Sequence, residues 1–118
     1  MFEVIAIMLL SQQPLMPVIE GKASYYTVAS SGSVTASGER LQDNDFTCAM
    51  LQGEFGEKYT VVGENGKSIV VRLTDRGPYV KGRVIDLSKA AMLALGGEHL
   101  MNVKVYRSGE APPTRAPS

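Results

Sequence analysis

The sequence predicts a small all-β domain, mainly β with one short helix, whose strands close into a barrel. One observation is the length of 118 residues with 44% hydrophobic side chains, which suits a single domain with its own core. A second is a series of about six short runs rich in β-branched and aromatic residues, separated by sharp glycine turns. Strands this short, in a chain this small, avoid exposed edges best by closing on themselves, and the pattern does not name the topology.

The two ends of the chain differ in composition from its middle. Residues 1–10 form an apolar run that is too short to span a bilayer but has the length of a signal-peptide core. No lysine or arginine precedes this run and Glu3 does, so we interpret it as a weak export signal, or as an N-terminal helix or added strand. We therefore place a possible signal and linker at 1–20, the domain at 21–107 and a disordered, proline-rich tail at 108–118.

The domain itself is predicted to be a series of strands with one helix near its end. The predicted strands, taken in order, are 22–28, 46–51, 59–63, 67–75, 83–87 and 103–106. Residues 29–33 are a predicted loop and 35–40 a polar turn. Asn65-Gly66 lies between two strands and predicts a hairpin with a type I′ turn. Ser88 is a good N-cap for a helix over 89–95, which Gly96-Gly97 ends.

The stretch 67–87 is the one that carries the predicted chemistry, and we interpret it as two strands joined by a tight loop. Side chains alternate along a strand, so one face of the first strand carries Ile69, Val71, Leu73 and Asp75. The three apolar residues predict a buried stripe with Asp75 at its mouth. An acid held where a hydrophobic face meets a turn is an expected place for an unusual proton affinity, although Asp before Gly and Pro is also an ordinary turn residue.

Charge and the rare residue types argue against several kinds of function. The 12 basic and 12 acidic residues balance, which argues against binding nucleic acid or anionic lipid through bulk charge. The single cysteine, Cys48, allows no internal disulfide and lies in an apolar run, so we predict a small core residue. The single histidine, His99, has no second His or Cys nearby and is predicted to lie in a surface loop. We therefore predict no metal site and no cofactor.

Four motifs follow one another along the domain. They are Gly21-Lys-Ala-Ser-Tyr-Tyr, Thr35-Ala-Ser-Gly-Glu, Thr74-Asp-Arg-Gly-Pro-Tyr and Gly82-Arg-Val-Ile-Asp-Leu-Ser. In this order they resemble the rare lipoprotein A family, which are bacterial cell-envelope proteins with a six-stranded double-psi β-barrel. The resemblance covers about residues 21–106, and expansins, barwin-like proteins and some inverting cellulases share the barrel type more distantly.

The resemblance implies a lytic transglycosylase that cleaves peptidoglycan and favours glycan strands stripped of their peptides. Such enzymes break the bond between N-acetylmuramic acid and N-acetylglucosamine without water and leave a 1,6-anhydro end, so one carboxylate can serve as acid and then base. By motif, Asp75 is that carboxylate and Glu39 is a second acidic site residue. The implied substrate-binding residues are Arg76, Tyr25, Tyr26 and Tyr79, with a core or rim role left open for the tyrosines.

The resemblance also implies a setting and leaves an alternative open. We expect a monomer in the periplasm or outside the cell, with peptidoglycan glycan strands as partner, no nucleic acid and no integral membrane span. Met50 occupies the place where the family usually has a histidine, and methionine cannot donate or relay a proton. A weakly active or inactive glycan-binding barrel is therefore the second interpretation. An unrelated small barrel that acts as an interaction module is the third, and the ordered motifs favour it least.

Overall fold

The computed structural model describes residues 16–108, apart from the side chains of residues 30 and 31, and this part of the chain forms a closed six-stranded barrel. Its elements are β1 (Ile19–Tyr26), α1 (Val28–Ser31), β2 (Thr47–Ala49), β3 (Lys58–Gly63), β4 (Ser68–Asp75), β5 (Arg83–Ser88), α2 (Lys89–Leu95) and β6 (Met101–Arg107). The predicted fold class is confirmed. The predicted signal and most of the predicted tail, at residues 1–15 and 109–118, lie outside the described residues.

Two local predictions near the start of the barrel differ from the structure. β1 begins at Ile19 rather than at residue 22, because its first residues pair with β6 in register with Val105. Residues 28–31 form a helical turn, where the end of a strand and a loop were predicted. The N–H of Val28 donates to Asp43 Oδ1 at 2.8 Å, a tertiary contact that holds this turn and that local sequence does not reveal.

Around the barrel the strands follow the order β1-β5-β2-β4-β3-β6. β1 pairs with β5 and β2 with β4 in parallel, and the other neighbours are antiparallel. β4 and β5 are the two strands predicted within residues 67–87, and β2 lies between them, so the loop that joins them does not close a hairpin. Residues 76–82 pass over the intervening β2, and the connection from β5 to β6 passes β1 in the same way. These crossing connections are those of a double-psi barrel.

The hydrophobic core fills the inside of the barrel and follows the alternation of the strands. Val71 and Leu73 of β4 are 1% and 0% exposed, and Ile69 packs partly buried against the same core, which confirms the predicted stripe. Cys48 is fully buried as well, and burial raises the pKa of its thiol to about 12. It is the core residue that the sequence predicted.

Two predicted turns show how far local signals determine the backbone. Ser88 caps α2, with its hydroxyl oxygen accepting from the N–H of Ala91 at 3.3 Å, and Gly96 ends the helix in the left-handed conformation. The hairpin between β3 and β4 is also present. Gly66 takes a φ of 85° but the asparagine before it does not have a positive φ, so the predicted type I′ turn is wrong. The N–H of Gly66 instead donates to Gly63 O at 2.9 Å, which closes a turn with a single left-handed residue.

Candidate active site

Asp75 is the last residue of β4 and lies half-buried just beyond the buried apolar stripe, after an irregularity in the register of β4 on β2. One carboxylate oxygen, Oδ1, accepts hydrogen bonds from the backbone N–H of Ala36 at 3.1 Å and of Arg76 at 2.9 Å. Within residues 16–108, leaving aside the side chains of residues 30 and 31, we find no hydrogen bond to the other oxygen, Oδ2. A carboxylate that is held through one oxygen and open at the other can transfer a proton in a fixed direction.

The loop of residues 35–39, called the Glu39 loop below, brings Ala36 to Asp75. The loop is closed by the N–H and the hydroxyl of its first residue, which both donate to Glu39 O, at 2.9 and 3.0 Å. The N–H of Ser37 donates to Thr74 O at 2.9 Å and fastens the loop to the end of β4. The predicted polar turn is therefore present, and it delivers a backbone donor to the candidate acid.

Glu39 itself is bound to Arg72, an arginine on β4. Arg72 donates from Nε to Oε2 at 3.3 Å and from Nη2 to Oε1 at 2.8 Å, and Nη2 also reaches Asp45 Oδ2 at 3.0 Å. The hydrogen bonds to Glu39 and Asp45 raise the pKa of Arg72 above its ordinary value. The Arg72 and Glu39 side chains are 31% and 41% exposed, so solvent screens the pair and its energy is modest. Both oxygens of Glu39 are nevertheless occupied.

Arg76 anchors the loop that follows β2 beside Asp75. Its Nη1 donates to Met50 O at 3.3 Å and its Nη2 to Gly53 O at 2.7 Å. The guanidinium carbon lies 4.4 Å from the centre of the Phe55 ring, a cation–π contact. No carboxylate within residues 16–108 forms an ion pair with Arg76, and the guanidinium has N–H groups beyond the two used here. Its position thus combines an anchoring role with the capacity to bind a substrate oxygen.

The three tyrosines that were predicted to bind substrate lie in different environments. Tyr26 is only 7% exposed, its hydroxyl lies 2.9 Å from Thr47 Oγ1, and burial raises its pKa to about 12. A ring covered in this way cannot stack on a sugar, so the core role that the sequence left open fits Tyr26. Tyr25 and Tyr79 are 37% and 79% exposed. Strand alternation could have separated Tyr25 from Tyr26, because adjacent side chains of a strand point to opposite sides.

Met50 borders the site through its backbone and not through its side chain. Its N–H donates to Asp75 O at 3.2 Å, and its carbonyl oxygen accepts from Arg76. The side chain is fully buried within the barrel core. The position at which the family usually has a histidine therefore holds a core residue in this chain.

Sequence reasoning missed Arg72 and the backbone donor of Ala36. Strict alternation would put Arg72 and Asp75, which are three residues apart, on opposite faces of β4. The register of β4 on β2 shifts between Leu73 and Asp75, an irregularity that the sequence does not reveal. Only the path of the Glu39 loop, which contacts both, connects them.

Within residues 16–108, no group of three or more His, Cys, Asp or Glu side chains is arranged to hold a metal ion. His99 is exposed in the loop before β6, which confirms the predicted surface position. No helix in the same part of the chain is long and apolar enough to cross a membrane.

The fold and the site together define a double-psi barrel with an acid at the end of one strand. Residues 18–112 match the family described as lytic transglycolase, and the chain belongs to this family. The match confirms the resemblance that the four sequence motifs carry.

Two curated relatives are similar in sequence to this chain. The probable endolytic peptidoglycan transglycosylase RlpA of Treponema pallidum is 47% identical over 91 residues, which are 76% of this chain and 28% of that protein. The protein of the same name from Aquifex aeolicus is 40% identical over 96 residues, or 77% of this chain and 42% of that protein. The chain thus spans less than half the length of these two relatives.

One solved structure supports the fold. A mutant of Clavibacter michiganensis expansin, in complex with cellohexaose, has a TM-score of 0.60 at 18% identity, covering 80% of this chain and 52% of that one. At this identity the likeness shows the barrel fold alone.

Proposed function

We propose that this chain is a lytic transglycosylase domain that cleaves the bond between N-acetylmuramic acid and N-acetylglucosamine in peptidoglycan glycan strands. Membership of the family and the names of the relatives support this reaction class. The observation that carries it to a residue is the geometry of Asp75: its Oδ1 is held by two backbone N–H groups, and none of the described hydrogen bonds uses Oδ2.

In the proposed reaction Asp75 acts first as an acid and then as a base. Oδ2 gives its proton to the glycosidic oxygen as the bond between that oxygen and C1 of the muramic acid breaks. The 6-hydroxyl of the same sugar attacks C1, and its proton passes to the Asp75 carboxylate. One C–O bond is broken and one is formed, so no water is consumed and Asp75 regains its starting proton. A single carboxylate is sufficient because the nucleophile belongs to the substrate.

The other site residues are proposed to bind the glycan strand or to assist Asp75. Glu39 is proposed as a second acidic residue of the site, and Tyr25 and Tyr79 as rings that stack on sugars, a role that their exposure supports. Arg76 binds a substrate oxygen with the N–H groups that it does not use on the backbone. The setting proposed for the domain is the bacterial cell envelope, in the periplasm or outside the cell, as a monomer and without a cofactor.

The test is turnover of purified, peptide-stripped glycan strands by the wild-type protein and by Asp75→Asn. Asparagine keeps an oxygen for the two N–H donors but cannot act as the acid. We therefore expect product formation to stop, while the variant keeps its fold and still sediments together with the glycan strands. Asp43→Asn is the matched control, because the Asp43 side chain accepts from the N–H of Val28, a bond that asparagine can still accept. Undiminished turnover by Asp75→Asn would remove Asp75 from the mechanism.

A glycan-binding barrel without turnover is the second candidate, and the burial of Met50 favours it. The chain places no titratable side chain at that position, and the Met50 side chain is fully buried. In this case the wild-type protein would pellet with the strands and leave them intact, and Asp75→Asn would bind as the wild type does.

A further inference from the structure

Arg72 is a charged residue of β4 for which the proposed reaction has no direct use. It lies three residues before Asp75, on the other side of an irregularity in the register of β4 on β2, between the pairs Cys48–Leu73 and Ala49–Asp75. It is also committed to two carboxylates, those of Glu39 and Asp45. Its guanidinium therefore binds side chains of the protein, and we look for its role in what those side chains hold in place.

The contacts of the Glu39 loop with β4 follow a regular order. Ala36 binds the carboxylate of Asp75, Ser37 binds the backbone of Thr74, and Glu39 binds the side chain of Arg72. As the loop runs forward, its partners on β4 run backward, as in an antiparallel pair. The ion pair with Arg72 thus secures one end of the loop, and the Ala36 N–H donates to Asp75 at the other.

We propose that Arg72 is a positioning residue of this site, which acts through Glu39 to keep the N–H of Ala36 on Oδ1 of Asp75. In this arrangement Glu39 transfers no proton, because both of its oxygens accept from Arg72. The bidentate pair has a defined geometry, which a guanidinium provides and an ammonium does not. The result is a fixed orientation of the catalytic carboxyl group, with Oδ2 toward the substrate.

The proposal rests on the proposed function for its kinetic test. Arg72→Ala and Glu39→Ala should each lower kcat by about 10²-fold, the size expected when a catalytic group is misplaced, with KM little changed. Because both residues act through one contact, the double variant should be no slower than the slower single variant. Arg72→Lys should have a kcat close to that of Arg72→Ala, since lysine cannot reproduce the paired donors of the guanidinium. A double variant whose loss is the product of the two single losses would overturn the proposal, because Glu39 would then act independently.

Asp45→Asn is the matched control, because Asp45 pairs with Arg72 at 3.0 Å without touching the Glu39 loop. If Arg72 served stability alone, this variant and Arg72→Ala would change kcat to a similar small extent. We expect Asp45→Asn to keep nearly all of the activity. If Arg72→Ala does not fold, Glu39→Gln and Arg72→Lys replace it in the same comparison.

A second readout does not depend on turnover. In the wild-type protein the amide proton of Ala36, followed by NMR, should shift as the Asp75 carboxylate titrates, because the two are hydrogen-bonded at 3.1 Å. We expect Arg72→Ala and Glu39→Ala to abolish this coupling and Asp45→Asn to keep it. Coupling that persists in both alanine variants contradicts the positioning role. If the wild-type protein forms no product, the proposed function fails, and the amide shift still decides the role of Arg72.

Discussion

At the scale of one residue, Met50 is a position whose backbone borders the site while its side chain lies in the core. A histidine at this position would invite the expectation that restoring it raises activity. The Met50 side chain, however, is fully buried in the apolar core, while its backbone is hydrogen-bonded to Asp75 and Arg76. An imidazole there would lose hydration without gaining an evident hydrogen-bond partner.

We therefore expect Met50→His to lower the free energy of unfolding by about 2 kcal/mol, the cost of burying an unpaired polar group, and not to raise kcat. Urea unfolding and turnover measured on the same preparation check this expectation. Met50→Leu, which nearly conserves the volume, should cost less than about 1.5 kcal/mol and serves as the control. A histidine variant of wild-type stability with faster turnover would show that this position can reach the reaction.

The loop after β2 is the element whose conformation the site depends on most after the Glu39 loop. Gly53 has a φ of 94°, and its carbonyl oxygen accepts from Arg76 at 2.7 Å. A Cβ at this position would lie 2.9 Å from a methyl group of Leu73 and closer still to the hydroxyl of Tyr59. Gly56 in the same loop has nearly the same φ, 93°, but a Cβ there would have no neighbour within 4 Å.

This pair of glycines separates backbone strain from crowding. Gly56→Ala should lower the free energy of unfolding by about 1–2 kcal/mol, since alanine is strained in the left-handed region. Gly53→Ala should add about 1–3 kcal/mol of overpacking to the same strain, and should weaken the anchor from Arg76. Urea unfolding of the two variants tests the difference. Equal losses would mean that the loop can move aside and that its position is not fixed by Tyr59 and Leu73.

Local signals predicted the elements better than they predicted the connections. Ser88 and Gly96-Gly97 determine α2 because a cap is satisfied within a few residues, and the β4 stripe follows from alternation alone. The type I′ turn was wrong because an Asn-Gly pair also suits a turn with one left-handed residue. The helical turn at Val28–Ser31 depends on a contact with Asp43, which lies beyond any local window.

At the scale of the whole molecule, the site could be predicted only in part, because it is assembled by topology. Asp75 follows from its place at the end of a buried face. Its partner Ala36 lies 39 residues away and reaches it only because the barrel folds the Glu39 loop onto β4. The separation of β4 from β5 by β2 has the same origin, since strand order in a closed barrel is set by pairings that no short pattern specifies.

Buried phenol and thiol groups should make the barrel less stable at alkaline pH. Burial raises the pKa of Tyr26 to about 12 in the folded protein, from 10.0 for an ordinary tyrosine. Between these values the unfolded chain has lost the phenolic proton and the folded protein keeps it, so stability falls as pH rises. From Tyr26 the fall should reach about 2 kcal/mol by pH 12, since a pKa difference is worth about 1.4 kcal/mol per unit and the folded protein itself begins to ionise there.

Urea unfolding between about pH 9 and pH 12 checks this expectation. Tyr59 and Cys48, whose pKa values are also raised to about 12, should contribute in the same direction. Tyr26→Phe removes one of these groups and should flatten the dependence, whatever its effect on stability at neutral pH. A slope that is unchanged in the variant would show that Tyr26 ionises as easily in the folded protein as in the unfolded chain.

The central claim is that Asp75 directs an intramolecular transfer within the sugar and not an attack by water. Mass spectrometry of the products formed from peptide-stripped glycan strands in heavy-oxygen water tests it most directly. We expect 1,6-anhydro-muramic acid ends that carry no heavy oxygen and that are absent with Asp75→Asn. Reducing ends labelled with heavy oxygen would make the protein a hydrolase and would contradict the account, and intact strands that still bind the protein would leave it a glycan-binding barrel.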